Sequence, residues 1–219
     1  AVAAGVAALP LEPRQVTCVS GVYIISARGS NEDPGEGKMA QVSTLIKNAV
    51  PGSTSVAVDY PAAIISDDSI YPESVTDGIN DTIDKITAYV GACGSSSRIV
   101  LLGYSQGGNV MTDVLAGGVD KPAPLSSTYK SNIVGVAVFG DPTFTVGQSF
   151  DAGSSTSSGI FARSSDGASL ALLNTYASVI QSYCDSGDPF CADGDDDTVH
   201  SNEVPNHAQA ASDFIASLV

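Results

Sequence analysis

The feature that most constrains this chain is the recurrence of a β-branched run followed by a helical pattern. Residues 20–27 (SGVYIISA), 54–59 (TSVAVD), 98–103 (RIVLLG) and 132–139 (NIVGVAVF) are apolar runs bounded by Gly, Pro or Ser, the signature of strands buried on both faces. A weaker fifth run covers 176–183 (YASVIQSY). Between the second and third runs, Val75, Ile79, Ile83, Ile86 and Val90 recur at spacings of four and three, with Asp77, Asp81, Asp84 and Lys85 on other faces. That spacing predicts an amphipathic helix. Shorter patterns over about 37–49, 106–116 and 203–218 complete an alternating β-α order. Alternation requires crossover connections, so an α/β fold is expected, with a mainly parallel five-stranded sheet covered by helices on both faces. Sheets of this kind carry their chemistry beyond the carboxyl ends of the strands.

The segment 143–172 is rich in Ser, Gly and Thr with no sustained period, which predicts a long surface loop bordering the site. With 219 residues, 43 % hydrophobic and only 15 % charged, the chain can bury one substantial core, and a single domain over 16–219 is expected. Residues 1–15 (AVAAGVAALPLEPRQ) are small and apolar and read as a presequence remnant or a propeptide-like arm. Nine Lys and Arg against 24 Asp and Glu leave a net charge of −15. Such a charge repels phosphate backbones and anionic surfaces, so nucleic acid is excluded as a partner and no stable membrane association is expected. No window reaches the roughly 18 consecutive apolar residues of a membrane helix.

The four cysteines, Cys18, Cys93, Cys184 and Cys191, include no C-x-x-C pair and no His at zinc-finger spacing. Disulfides are expected rather than a metal site. Cys184 and Cys191 lie seven apart around Gly187 and Pro189, which favours a local bridge and leaves Cys18 to pair with Cys93. Disulfides imply secretion, and the glycosylation sequon at Asn80 is consistent with that route. The acidic run 193–197 has Thr198 where a calcium loop needs Gly, so it reads as a solvated loop with at most a weak cation site.

Gly103-Tyr104-Ser105-Gln106-Gly107 is a G-x-S-x-G pentapeptide directly after the best strand and directly before a helical pattern. A sharp strand-to-helix turn needs small neighbours, presents the Ser105 hydroxyl above the sheet and aims a helix N-terminus at developing negative charge. A serine nucleophile needs a base, and the chain has only two histidines, His200 and His207. His200 is expected in a loop before the last helix, free to hang over the sheet, whereas His207 falls inside that helix and reads as solvent-facing. For the orienting acid, Asp188 lies in the Cys184–Cys191 loop past the fifth strand. Asp141, which also ends a strand, is the competitor and reads as structural, and Asp185 reads as a turn former.

Ala27-Arg28-Gly29-Ser30, Gly103-Tyr104-Ser105-Gln106-Gly107 and the block Tyr183-Cys184 through Gly187-Asp188-Pro189-Phe190-Cys191 followed by His200 together resemble the fungal cutinase family, which also includes acetylxylan esterases. The resemblance runs from about residue 18 to the C-terminus. It implies a lidless α/β-hydrolase and a secreted, extracellular, monomeric serine esterase that needs no cofactor. It implies Ser105, Asp188 and His200 as catalytic triad, and the N–H groups of Ser30 and Gln106 as oxyanion hole. The expected substrate is an ester polymer such as cutin or an aliphatic polyester, or a small ester, with acetylated xylan as the alternative. A catalytically silent wall-binding protein is the remaining alternative. Apolar walls are expected from Tyr60 and Pro61 on one side and from Phe150, Ile160 and Phe161 on the other.

Overall fold

The computed structural model describes residues 16–66 and 70–219. The arm expected over 1–15 lies outside the described residues. Strands β1 (Tyr23–Ala27), β2 (Thr54–Ala57), β3 (Ile99–Tyr104) and β4 (Ile133–Phe139) form where the β-branched runs predict them, and β6 (Ile180–Tyr183) is the C-terminal half of the weak fifth run. Between β4 and β6 lies β5 (Asp151–Ala152). The sheet order is β2-β1-β3-β4-β6-β5, and every pairing is parallel.

The sheet therefore has six strands, not the five expected. The extra strand is two residues long, too short to leave a period of two in the sequence, and it pairs with Ser182 and Tyr183 of β6. Its segment is also less loop-like than expected. Phe144 and Phe150 are buried, and helix α4 (Ala168–Asn174) closes the stretch.

Continuous apolar strands are explained by the two cores they separate. Ile25, Ala27, Ile99, Leu101, Val136 and Val138 point to one side, under α2 (Tyr71–Cys93), α3 (Gln106–Ala116) and α4. Val22, Ile24, Val100, Leu102, Ala137 and Phe139 point to the other, under α1 (Met39–Ala49) and α5 (Asp197–Leu218). Each face thus buries alternate residues of the same strands. Both expected disulfides are present, Cys18–Cys93 tying the start of β1 to the end of α2, and Cys184–Cys191 closing the loop after β6. Asn80 is exposed on α2.

The largest departure from the sequence reading concerns α5, which begins at Asp197 instead of near 203. His200 is therefore in the first turn of a helix, not in a preceding loop. Pro205 hides this, because a proline reads as a helix-start signal and cannot donate to the carbonyl four residues back. Here that carbonyl, Ser201 O, accepts from Lys38 Nζ at 2.8 Å, while Asp196 caps the helix through Thr198 N–H at 2.8 Å.

Candidate active site

Ser105 lies at the hinge between β3 and α3 with φ 54° and ψ −120°, a conformation that L side chains rarely adopt. Its N–H donates to Phe139 O at 2.8 Å, fixing the turn to β4. The turn works only with glycines beside it. A Cβ on Gly107 would lie 2.1 Å from Ala27 O, and one on Gly103 would lie 2.3 Å from Gly107 O.

The strained turn places the Ser105 hydroxyl 2.9 Å from His200 Nε2. His200 Nδ1 lies 2.7 Å from Asp188 Oδ2, and the other oxygen of Asp188 accepts the N–H groups of Phe190 at 2.7 Å and Cys191 at 3.0 Å. Burial opposes ionisation of Asp188, but the hydrogen bond and charge of His200 and those two amides outweigh it and hold the carboxyl below its ordinary range. The charged acid fixes the imidazole with Nδ1 protonated and Nε2 turned to the serine. The ring is further held between Tyr104, 5.1 Å away and stacked, and Phe190, 4.5 Å away and tilted. Tyr104 also donates to His200 O at 3.1 Å.

Ser30 and Gln106 converge on the loop that follows β2. Ser30 Oγ donates to Ala63 O at 3.2 Å, and Gln106 Nε2 donates to the same oxygen at 2.7 Å. Ser74 Oγ accepts from Ala63 N–H and donates to Gln106 Oε1. The backbone N–H groups of Ser30 and Gln106 have no hydrogen-bond partner among the described residues, so both remain available to a ligand. The preceding Arg28 is buried, its guanidinium donating to Glu32 O and Tyr60 O, while Tyr60 donates back to Arg28 O.

The remaining expectations divide. Asp141 is buried beneath the site on Thr112 and Thr143, which fits its structural reading. Tyr60 and Phe150 are buried in the core, whereas Ile160 and Phe161 are exposed, as are Ile64, Ile65 and Ile70. Among the described residues, the carboxylates of 193–197 do not gather into a cluster that could hold a metal. Asp185 and His207 are neither a simple turn former nor a free surface group, for His207 Nε2 lies 2.8 Å from Asp185 Oδ2.

Sequence reasoning missed Glu203. It is fully buried, its Oε1 accepts Asp185 N–H at 2.6 Å, and it rests against Cys191 Sγ. Burial pushes its carboxyl up to about 9; the Asp185 amide opposes this, and the charges of Asp185 and Asp188 add to it. Glu203 follows His200 by three residues, a spacing that marks one helix face, but a helix begun near 203 conceals it.

A six-stranded parallel sheet, a strained serine at the β3–α3 turn and an imidazole between that serine and a buried carboxylate define an α/β-hydrolase. The sequence profile of the cutinase family matches residues 18–219, and the chain belongs to that family. Cutinase 11 of Verticillium dahliae is 33 % identical over 222 residues, 97 % of this chain and 72 % of its own. Acetylxylan esterase 2 of Talaromyces purpureogenus is 32 % identical over 225 residues, 97 % of this chain and 93 % of its own. The catalytic core domain of acetyl xylan esterase from Trichoderma reesei superposes with a TM-score of 0.81 at 31 % identity, covering 90 % of this chain and 98 % of that one.

Proposed function

We propose that this chain is a secreted serine carboxylic ester hydrolase acting through an acyl-enzyme, with Ser105 as nucleophile, His200 as base and Asp188 as orienting acid. The observation that carries this reading is the unbroken relay of 2.9 Å from Ser105 to His200 and 2.7 Å from His200 to Asp188. His200 Nε2 takes the Ser105 proton as Oγ attacks the ester carbonyl, and the imidazolium is stabilised by the Asp188 carboxylate. The developing oxyanion meets the N–H groups of Ser30 and Gln106, the second at the positive end of α3. Each such donor lowers the barrier by about 3 kcal/mol. Collapse returns the proton to the departing alcohol, and water activated by the same imidazole then releases the acid.

The preferred substrate is an ester with an aliphatic chain, in cutin, a synthetic polyester or a small soluble ester. Supporting this, Ile64 and Ile65 directly follow Ala63, which both oxyanion-side residues bond. Across the site, Ile160 donates its N–H to the carbonyl of Phe190, whose ring touches His200. Exposed apolar side chains thus sit on loops that adjoin residues of the site, and each methylene of a substrate that they bury contributes about 0.8 kcal/mol. Acetylated xylan is the second reading, favoured by the relatives of that name. Two disulfides support an extracellular location. Among the described residues no helix is long and apolar enough to cross a membrane.

Stoichiometric labelling of Ser105 by an organophosphonate tests the chemistry, since a silent fold would not react. Specificity constants for p-nitrophenyl acetate, butyrate and octanoate, set beside acetate release from acetylated xylan, test the substrate. Butyrate above acetate is expected. Strict acetyl preference with xylan activity would move the assignment to the second reading.

A further inference from the structure

Behind the triad, Asp185, Glu203 and His207 aim one donor atom each at a common point. One ligand atom from each of Asp185, Glu203 and His207 lies within 4.8 Å of the other two. His207 Nε2 is 2.8 Å from Asp185 Oδ2 and 3.9 Å from Glu203 Oε2. Ligands about 2.0–2.2 Å from a tetrahedral zinc ion are separated by about 3.3 Å, a value those two distances bracket.

His207 Nε2 and Asp185 Oδ2 share one hydrogen bond, whose proton a cation would replace, and the other contacts of the three residues hold these atoms in place. Asp185 Oδ1 accepts from Ser154 N at 3.0 Å and Ser154 Oγ at 2.9 Å, which leaves Oδ2 turned to the cluster. Glu203 Oε1 accepts the Asp185 N–H at 2.6 Å, which leaves Oε2. The His207 ring is stacked on Tyr183 at 5.0 Å. Glu203 and His207 are four apart on α5, a spacing that puts two side chains on one face. Supporting contacts of this kind orient metal ligands and fix which oxygen coordinates.

An independent observation points to a ligand. The Glu203 side chain is fully buried, and its Oε2 has no hydrogen-bond partner among the described residues. Ionised or protonated, an oxygen so placed costs free energy unless something satisfies it. His207 and Asp185 are about one-fifth exposed, at 20 % and 19 %, so the point between the three is reachable from solvent.

We propose that Asp185, Glu203 and His207 form a binding site for one borderline divalent cation of the zinc type. One imidazole and two carboxylates suit zinc, with solvent as fourth ligand, and are too few for calcium, which takes six to eight oxygens. The nearby Cys184–Cys191 sulfurs are spent on their disulfide and do not ligate. The bound ion would cross-link the loop after β6 to α5, the two segments that carry Asp188 and His200. It acts as a brace behind the triad, and no step of ester hydrolysis passes through it.

The test is titration of the EDTA-treated, dialysed full chain with zinc chloride, followed by calorimetry and by melting temperature. One saturable site per chain is expected, with Tm raised by about 5–10 °C when free zinc exceeds its Kd about 100-fold. Both signals should vanish in His207→Ala and in Glu203→Gln, and persist in an Asp193→Asn/Asp195→Asn variant that thins the exposed acidic run. His207 is partly exposed and its variant is expected to fold, so the test stands even if Glu203→Gln does not. No saturable binding up to about 1 mM, or binding by His207→Ala as tight as by the parent, would overturn the proposal.

Discussion

Two Asp–His pairs stand side by side on the same two segments, and only one has the makings of a catalyst. Asp185 and Asp188 share the loop after β6, and His200 and His207 share α5. The difference lies in which ring nitrogen meets the acid. His200 gives Nδ1 to Asp188 and keeps Nε2 for the Ser105 hydroxyl at 2.9 Å. His207 spends Nε2 on Asp185, its ring lies flat on Tyr183, and its other neighbour is the buried Glu203. An acid beside an imidazole is therefore not enough. The pair becomes a base only when the nitrogen left over faces a strained, presented nucleophile.

Substitution at the histidines gives the largest expected contrast. His200→Ala is expected to lower kcat by at least about 10⁴-fold, as should Ser105→Ala, while His207→Ala lowers kcat/KM no more than about threefold. Asp188→Asn should cost about 10⁴-fold, because the imidazole loses its orienting charge and takes the wrong tautomer. Steady-state rates on p-nitrophenyl butyrate with folded variants decide this. If Asp185→Asn matched Asp188→Asn, the two pairs would not be functionally distinct.

Opening the Cys184–Cys191 bridge should strike both pairs at once, since both acids lie within or beside its loop. A Cys184→Ala/Cys191→Ala variant is expected to lose about 2.5 kcal/mol on a chain-entropy account, read as a Tm lower by about 5–10 °C. Its kcat should fall more than its KM rises, because Asp188 is held by the N–H of Cys191 itself. A variant with lowered Tm and full kcat would mean that the amides keep Asp188 in place without the bridge.

How far the sequence exposes this arrangement depends on whether a feature leaves a local period or a local motif. The five longer strands, the β3–α3 elbow and both cysteine pairings are legible because each is written in a short window. Motif and chain order single out Ser105, Asp188 and His200, and the structure brings all three together. Other features are not local. The strand Asp151–Ala152 exists only through its pairing with β6. The start of α5 is masked by Pro205, whose missing hydrogen bond is made good by Lys38, 163 residues earlier in the chain. Misplacing that start also hides that His200, Glu203 and His207 share one face, so the second pair and its carboxyl escape a linear reading.

The smallest expected effect isolates the buried carboxyl that sets the second pair apart. Its folded pKa, about 9, lies above its ordinary value because burial disfavours the charge, helped by Asp185 and Asp188. For an acid shifted upward, the folded state binds more protons than the unfolded state between those two values. Stability is therefore lost as pH rises through that window, and the loss is complete above the folded pKa. Glu203→Gln keeps the shape and removes the titration. In EDTA-containing buffer, where no cation can replace the proton, parent and variant should melt at similar temperatures near pH 5. By pH 9 the variant should gain at least about 4 °C relative to the parent. Parallel Tm curves from pH 5 to pH 9 would mean that Glu203 is already ionised when folded, and the contrast between the two pairs would then rest on geometry alone.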